Sequence, residues 1–204
     1  VKFYARTLAA IVFIALGLWA GMRLQARIER KSAMRATVEV QKVKIRHLQD
    51  EEVRLRTALL LRDNLEELRL KLPRSTYQAM VQGVADAALR YDVAPETILA
   101  VIRIESGFDA SATSDAGAVG LMQILPSTAE EVARELRLPW SGGDQLRDPA
   151  TNIRLGTHYL TKLLARFDDL ALALAAYNEG PERVAERPAG TSEYARRVLR
   201  EAAP

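Results

Sequence analysis

The sequence predicts an all-α protein: a helical domain preceded by a long helical, coiled-coil-like stalk and an N-terminal transmembrane helix. Three observations predict it. No stretch shows sustained period-two alternation with β-branched residues, the pattern of a half-buried strand. Residues 24–72 contain no Gly and no Pro and are rich in Arg, Glu, Leu and Gln, which favour helix. Beyond Pro73, prolines and glycines recur where helices start and stop.

The first segment, residues 1–23, reads as a membrane anchor or a signal segment. Thr7 to Met22 carries no charge and includes Ile11, Val12, Phe13, Ile14, Leu16, Leu18 and Trp19. A spanning helix needs about 20 residues. Arg6 and Arg23 can snorkel, so Ala5 to Leu24 is long enough. The apolar run is not followed by a convincing A-x-A cleavage site, which favours an uncleaved anchor over a signal peptide. Lys2 and Arg6 precede the run, whereas Arg23, Arg27, Arg30, Lys31 and Arg35 follow it. Taken alone, that bias places the C-terminal side in the cytoplasm.

The second segment, residues 24–73, reads as an amphipathic helical stalk. Ile45, Leu48, Leu55 and Leu59 fit one heptad frame, with Glu52 at one core position. Leu61, Leu65, Leu68 and Leu72 fit a shifted frame, the mark of a stutter. A coiled coil that self-associates and a solvated single helix both suit this pattern. At ~1.5 Å per residue, about 48 helical residues reach on the order of 70 Å.

The third segment, residues 74–204, has the length of one globular domain. Helices are expected near 75–91, 95–106, 126–137, 149–166, 169–178 and 192–202. Ser75-Thr76-Tyr77-Gln78 and Ser127-Thr128-Ala129-Glu130 fit capping boxes. Pro95 and Pro149 suit first-turn positions, the latter after Asp148 as N-cap. Gly107, Gly180 and Pro181 suit helix ends.

Charge divides along the same lines. Of the 204 residues, 1–72 hold 15 Lys/Arg against 8 Asp/Glu, and 73–204 hold 14 against 18. The basic balance therefore belongs to the N-terminal third, and the acidic remainder argues against nucleic acid as a partner. There is no Cys, which excludes disulfides, thiolate metal sites, thiol nucleophiles and a lipid-modified Cys within this sequence. The two histidines, His47 and His158, are far apart in sequence. Neither a metal nor a cofactor is implied.

Three elements of the third segment carry candidate chemistry. On the helix opened by Pro95, Ile98, Val101, Ile102 and Glu105 share one face. A carboxyl in the last turn of an apolar stripe, next to the negative end of the helix dipole, is expected to have a raised pKa. Such a group can act as a general acid near neutral pH. A Glu at a helix end reaching solvent or an Arg is the plainer alternative. Next comes the small-residue loop Ser114 to Gly120, followed by Leu121, Met122, Gln123 and Ile124. Gln123 is an amide in an apolar run, free to bond either a hydroxyl-rich ligand or its own backbone. Finally, Leu170 to Asn178 is apolar all round, as expected of a central buried helix, with Tyr177 and Asn178 at its end. These two either donate into a cleft or serve as core packing and C-cap.

Together these blocks resemble the lytic transglycosylases of the soluble, goose-lysozyme-like type (glycoside hydrolase family 23). The resemblance rests on Glu105-Ser106-Gly107-Phe108, Ser114 with Gly117 to Ile124, and Asp148-Pro149 with Asn152, Gly156, Tyr159 and Leu160. It continues through Ala175-Ala176-Tyr177-Asn178-Glu179-Gly180-Pro181 and Thr191 with Tyr194 and Arg196 to Leu199. It runs from about Tyr77 to Leu199 and leaves residues 1–72 outside.

The resemblance implies a lysozyme-like helical fold. It also implies an enzyme that cleaves the MurNAc-β-1,4-GlcNAc bond of peptidoglycan and closes a 1,6-anhydroMurNAc ring. Glu105 matches the single catalytic acid/base. Ser114, Gly120, Met122, Gln123, Tyr177 and Asn178 match substrate-binding positions, and Tyr177 matches a tyrosine that helps position Glu and sugar. The family usually has Asn-Pro where this chain has Asp109-Ala110, and Leu125 stands where many relatives have Met. Hydrolysis by water, as in a lysozyme, is the rival chemistry, with Asp109 or Asp115 as second carboxylate. A non-catalytic, membrane-anchored murein-binding scaffold is the rival from another class. An enzyme of peptidoglycan glycan strands must face the periplasm or cell wall, so the expected topology is N-in, C-out against the charge bias.

Overall fold

The computed structural model describes residues 2–69, 72–186 and 192–203, with side chains in the first range described over residues 16–60. Thr191 lies outside the described residues, as do the side chains of Leu61, Leu65 and Leu68 and those of residues 1–15, which hold most of the expected anchor. The described residues are all-α. They form α1 (Lys2–Arg69), α2 (Arg74–Tyr91), α3 (Pro95–Ser106), α4 (Pro126–Glu135), α5 (Pro149–Phe167), α6 (Leu170–Glu179), α7 (Pro181–Ala185) and α8 (Glu193–Glu201). A 3-10 turn at Gly143–Arg147 precedes α5. Extended pairing among the described residues is limited to isolated bridges, Thr113 with Val119 and Val119 with Ile124.

The chain divides into two compact units, Val1–Gln49 and Asp50–Pro204. In the first, Met34, Val38, Val43, Ile45 and Leu48 are exposed along α1. Among the described residues no helix is long and apolar enough to cross a membrane.

The second unit begins earlier than the end of the expected stalk. Val53 and Leu60 of α1 pack against the core, and Thr57 is fully buried with its hydroxyl on the Val53 carbonyl, 2.8 Å. Arg56 pairs with Glu96, and Arg54 with Asp86 at 3.6 Å. The alternate face of the same turns, Leu55 and Leu59, stays exposed. The heptad reading took Leu55 and Leu59 as its seam, whereas the stripe that packs on the domain is the neighbouring one of Val53, Thr57 and Leu60.

Helix starts depart from the sequence reading in an instructive way. α2 begins at Arg74 directly after Pro73, and α4 begins with Pro126 at its first position after extended Leu125. Ser75 and Ser127 therefore lie inside the first turns, and neither expected capping box forms. A proline fixes φ and dispenses with a donor, so it sets the helix start before the serines are reached. Where an acidic cap follows an extended residue the rule holds: Asp148 accepts from Thr151 N at 2.8 Å, and Asp169 from Leu172 N at 2.8 Å. α4 stops at Glu135, two residues short of expectation, because Arg137 turns left-handed (φ 53°) and Leu138 N closes onto Ala133 O at 2.8 Å.

The core of the second unit is built on α3 and α6. Ile98, Val101 and Ile102 are fully buried, as are Ala173, Leu174 and Ala176. α6 packs against α5, α7 and α8, and α3 against α8 and α2. The all-apolar character of α6 is thereby explained: it has neighbours on every side.

Candidate active site

Glu105 occupies the last turn of α3 because the apolar stripe Ile98–Val101–Ile102 carries that face inward. The chain then leaves sharply. Gly107 (φ 57°) caps the helix in the left-handed region, and Phe108 (φ 69°) follows it there, buried. Ser106 ties this corner down by donating to Ile102 O (3.1 Å) and Leu121 O (2.8 Å). The carboxyl is half-buried rather than free in solvent. Its Oε1 accepts a short hydrogen bond, 2.6 Å, from the hydroxyl of Tyr194 on α8. Loss of hydration pushes the Glu105 pKa above its ordinary value, and the Tyr194 hydrogen bond and the Arg197 charge only partly oppose this.

Two buried phenols accompany it. Burial raises the hydroxyl of Tyr194 far above the usual tyrosine range, and Glu105 adds to that effect. Tyr177, at the end of α6, is raised in the same way, first by burial and then by Glu105. Both stay protonated and act as donors. The Tyr177 hydroxyl donates to Met122 O at 2.8 Å, and its ring meets Tyr159 with centroids 5.5 Å apart.

The loop facing this corner is shaped by Gly120 and Asn152. Gly120 (φ 81°) lies so close to Leu146 O and the Asn152 amide that a Cβ has no room. Asn152 is fully buried on α5. Its Nδ2 donates to Val119 O (2.8 Å) and Leu146 O (2.9 Å), and its Oδ1 accepts from Met122 N (2.7 Å). One side chain thus satisfies three backbone groups of a buried loop. Gly156, one turn along α5, lets the Met122 side chain pack close; a Cβ there meets Sδ at 2.6 Å.

The expected substrate-binding residues divide by environment. Ser114 is exposed and closes its own turn, its Oγ accepting from Ala118 N at 3.0 Å. Asn178 is exposed at the end of α6. Met122 has a fully buried side chain and reaches Tyr177 through its carbonyl. Gln123 adopts a left-handed backbone (φ 45°) and donates Nε2 to Ala112 O (3.2 Å) and Gly120 O (2.9 Å). Its amide nitrogen is therefore held by local backbone, the plainer of the two sequence readings. Gly120 is buried and shapes the loop.

Asp109 sits on an exposed turn with Oδ1 accepting from Ser111 N (2.8 Å) and Ser111 Oγ (2.6 Å), bonds that hold its carboxyl below the ordinary range. Asp115 is exposed. Among the described residues no group of three or more His, Asp or Glu is placed to hold a metal ion.

Sequence reasoning gave no site role to Tyr194, the residue in direct contact with Glu105. It stands 89 positions away, and its only signal was its membership of the C-terminal motif block.

Known proteins resemble this chain. The chain is 40% identical over 95 residues to a soluble lytic murein transglycosylase of Salmonella typhimurium, covering 46% of this chain and 15% of that protein. It is 42% identical over 81 residues to an endo-type membrane-bound lytic murein transglycosylase A of Klebsiella pneumoniae, covering 38% of this chain and 39% of that protein. In structure it is similar to an inactive Glu-to-Gln mutant of lytic transglycosylase Slt from Pseudomonas aeruginosa, with a TM-score of 0.55 and 32% identity, over 59% of this chain and 23% of that one. The chain thus spans well under half the length of each. The transglycosylase SLT domain family model matches residues 83–199, more than half of the chain, and the chain belongs to that family.

Proposed function

We propose that the second unit is a peptidoglycan lytic transglycosylase that cleaves the MurNAc-β-1,4-GlcNAc bond with Glu105 as its single acid/base. The observation that carries this reading is the half-buried Glu105 carboxyl of raised pKa, held by Tyr194 at 2.6 Å. A carboxyl that keeps its proton toward neutral pH can deliver it to the glycosidic oxygen. The C1–O4 bond breaks and GlcNAc leaves with a free 4-hydroxyl. The C6 hydroxyl of MurNAc then closes onto C1, giving its proton back to the Glu105 carboxylate. The products are a 1,6-anhydroMurNAc end and a new GlcNAc end, with no water consumed and the acid regenerated.

Because the substrate supplies its own nucleophile, one carboxyl serves both steps. Tyr194 orients it through Oε1, and Tyr177 anchors the Met122 carbonyl beside it. Ser114 and Asn178, exposed on the flanking loop and helix end, are positioned to meet the sugars. Met122, Gln123 and Gly120 act by shaping the loop that receives the glycan.

Residues 1–23 serve as a membrane anchor, with the enzyme facing the periplasm or cell wall (N-in, C-out). The uncharged run from Thr7 to Met22 supports this, as does the name of the membrane-bound Klebsiella relative. Of the expected stalk, residues 24–49 carry the enzyme away from the membrane, because Val53, Thr57 and Leu60 pack within the catalytic unit. The exposed stripe of Met34, Val38, Ile45 and Leu48 suits self-association there.

Digestion of purified murein sacculi followed by mass spectrometry of the muropeptides tests the chemistry. Anhydro ends are expected from the parent chain, and a loss of roughly 10²–10⁴-fold from Glu105→Gln. Reducing ends instead, or unchanged solubilisation by Glu105→Gln, would sink the mechanism.

A further inference from the structure

A second cleft lies on the opposite side of α5 from the catalytic loop. Asn152, Gly156 and Tyr159 face Met122 and Tyr177. Arg154 lies some 200° around the helix from Asn152 by its 3.6-residue turn, on the far face, together with Ala150 and Thr151. There, with α2 and the segment before the 3-10 turn, it lines a cleft of about 400 Å³. The polar lining is Arg90, Arg154, Tyr91, Gln145, Asp86 and Thr151.

Two features mark this cleft as built to hold something. The Tyr91 hydroxyl and Arg154 Nε are buried without a hydrogen-bond partner among the described residues. His158, one turn beyond Arg154 and outside the cleft lining, backs the Tyr91 ring at 5.3 Å. Buried polar groups are rarely left unpaired, and each costs roughly 1–3 kcal/mol when it is. Moreover, neither Arg90 nor Arg154 has a carboxylate partner among the described residues, whereas Asp86 on the same wall is already shared with Arg54 (3.6 Å) and Gln82 Nε2 (2.7 Å). Gln145 accepts from Ser141 N through Oε1, which directs its amide nitrogen to donate elsewhere. The unspent capacity is therefore two guanidiniums, a phenol and an amide, a set that matches an acceptor-rich anion.

We propose that this cleft is a second ligand site that takes a carboxylate-bearing short peptide, the class of peptide carried by peptidoglycan. Arg90 and Arg154 meet the carboxylate, Tyr91 and Gln145 add hydrogen bonds, and Leu138 and Pro139 cover the aliphatic part. The peptide identity rests on the murein reading above. The cleft is separate from Glu105, so the enzyme grips the peptide on one face of α5 and the glycan on the other.

The test is calorimetric titration of the full chain with free murein stem tripeptide and with the same tripeptide amidated at its carboxylates. The carboxylated form is expected to bind at least tenfold more tightly. Arg154→Gln and the exposed Arg90→Gln are each expected to weaken it about tenfold, and Glu105→Gln to leave it unchanged. Arg90→Gln guards against a folding defect at the half-buried Arg154. Equal binding of the two peptides, no binding of either, or insensitivity to Arg90→Gln overturns the proposal. If Glu105→Gln still cleaves murein while peptide binding follows Arg90, the catalytic reading fails and the peptide site stands.

Discussion

In the proposed mechanism Glu105 is the acid and Tyr194 its orienting donor, and the opposing effects on the Glu105 proton fix the sign of the pH dependence. Burial raises the carboxyl pKa, while the Tyr194 hydrogen bond and Arg197 lower it. The acid works only while protonated, so activity should fall as pH rises through that raised value. Tyr194→Phe removes a group that stabilises the ionised form. The pKa then climbs further, and the alkaline limb of the pH–rate profile moves to higher pH. The plateau rate drops roughly tenfold, because the carboxyl loses its orienting donor. A limb that stays in place or moves to lower pH in steady-state profiles would show that Tyr194 does not act through the Glu105 proton. The placement of Glu105 at the inward end of an apolar i, i+3/i+4 stripe was legible in the sequence, whereas its proposed role came from the neighbouring motif blocks. Tyr194 was not, because local spacing says nothing of a contact between α3 and α8.

At the scale of elements, the helices were legible wherever periodicity ran for three turns, and α3 falls at its expected residues, 95–106. The 3-10 turn and α7 were missed because five residues are too few to show a period. The loop between α3 and α4 is held by Asn152, which the sequence marked only as a member of a motif block, without a role. Replacing Asn152 with Leu keeps the volume but leaves Met122 N and Leu146 O without partners, whereas Val119 O keeps its bond from Ile124 N at 3.2 Å. At about 1–3 kcal/mol for each of the two, the loss should be about 2 kcal/mol or more in urea unfolding. A loss under about 1 kcal/mol would mean the loop finds other partners. The end of α1 makes a second prediction. A chain starting at residue 50 keeps Val53 and Leu60 on the core and the Arg56–Glu96 pair. One starting at residue 73 loses them, and partial burial of two such side chains is worth about 3 kcal/mol. Its melting temperature should be lower by about 5–10 °C. Equal melting temperatures would return the domain boundary to Pro73.

For the whole molecule, the two units differ in charge more sharply than residues 1–72 and 73–204 do. Residues 1–49 carry 10 Lys/Arg against 2 Asp/Glu, and residues 50–204 carry 19 against 24. A basic unit next to an uncharged run is suited to a membrane with anionic lipids, each Lys or Arg near the surface contributing about 1 kcal/mol. An inserted anchor and a surface-bound basic helix predict different salt responses. Electrostatic attachment fades once the Debye length falls to a few ångström, whereas burial of the Thr7–Met22 run in hydrocarbon does not. Flotation with vesicles containing phosphatidylglycerol should therefore carry the full chain upward in both ~0.1 M and ~1 M salt, and leave residues 50–204 behind in both. Release of the full chain at high salt would show that residues 1–49 lie on the membrane rather than in it. The expected N-in, C-out topology would then lose its basis, while the catalytic reading of Glu105, which belongs to the other unit, would be untouched.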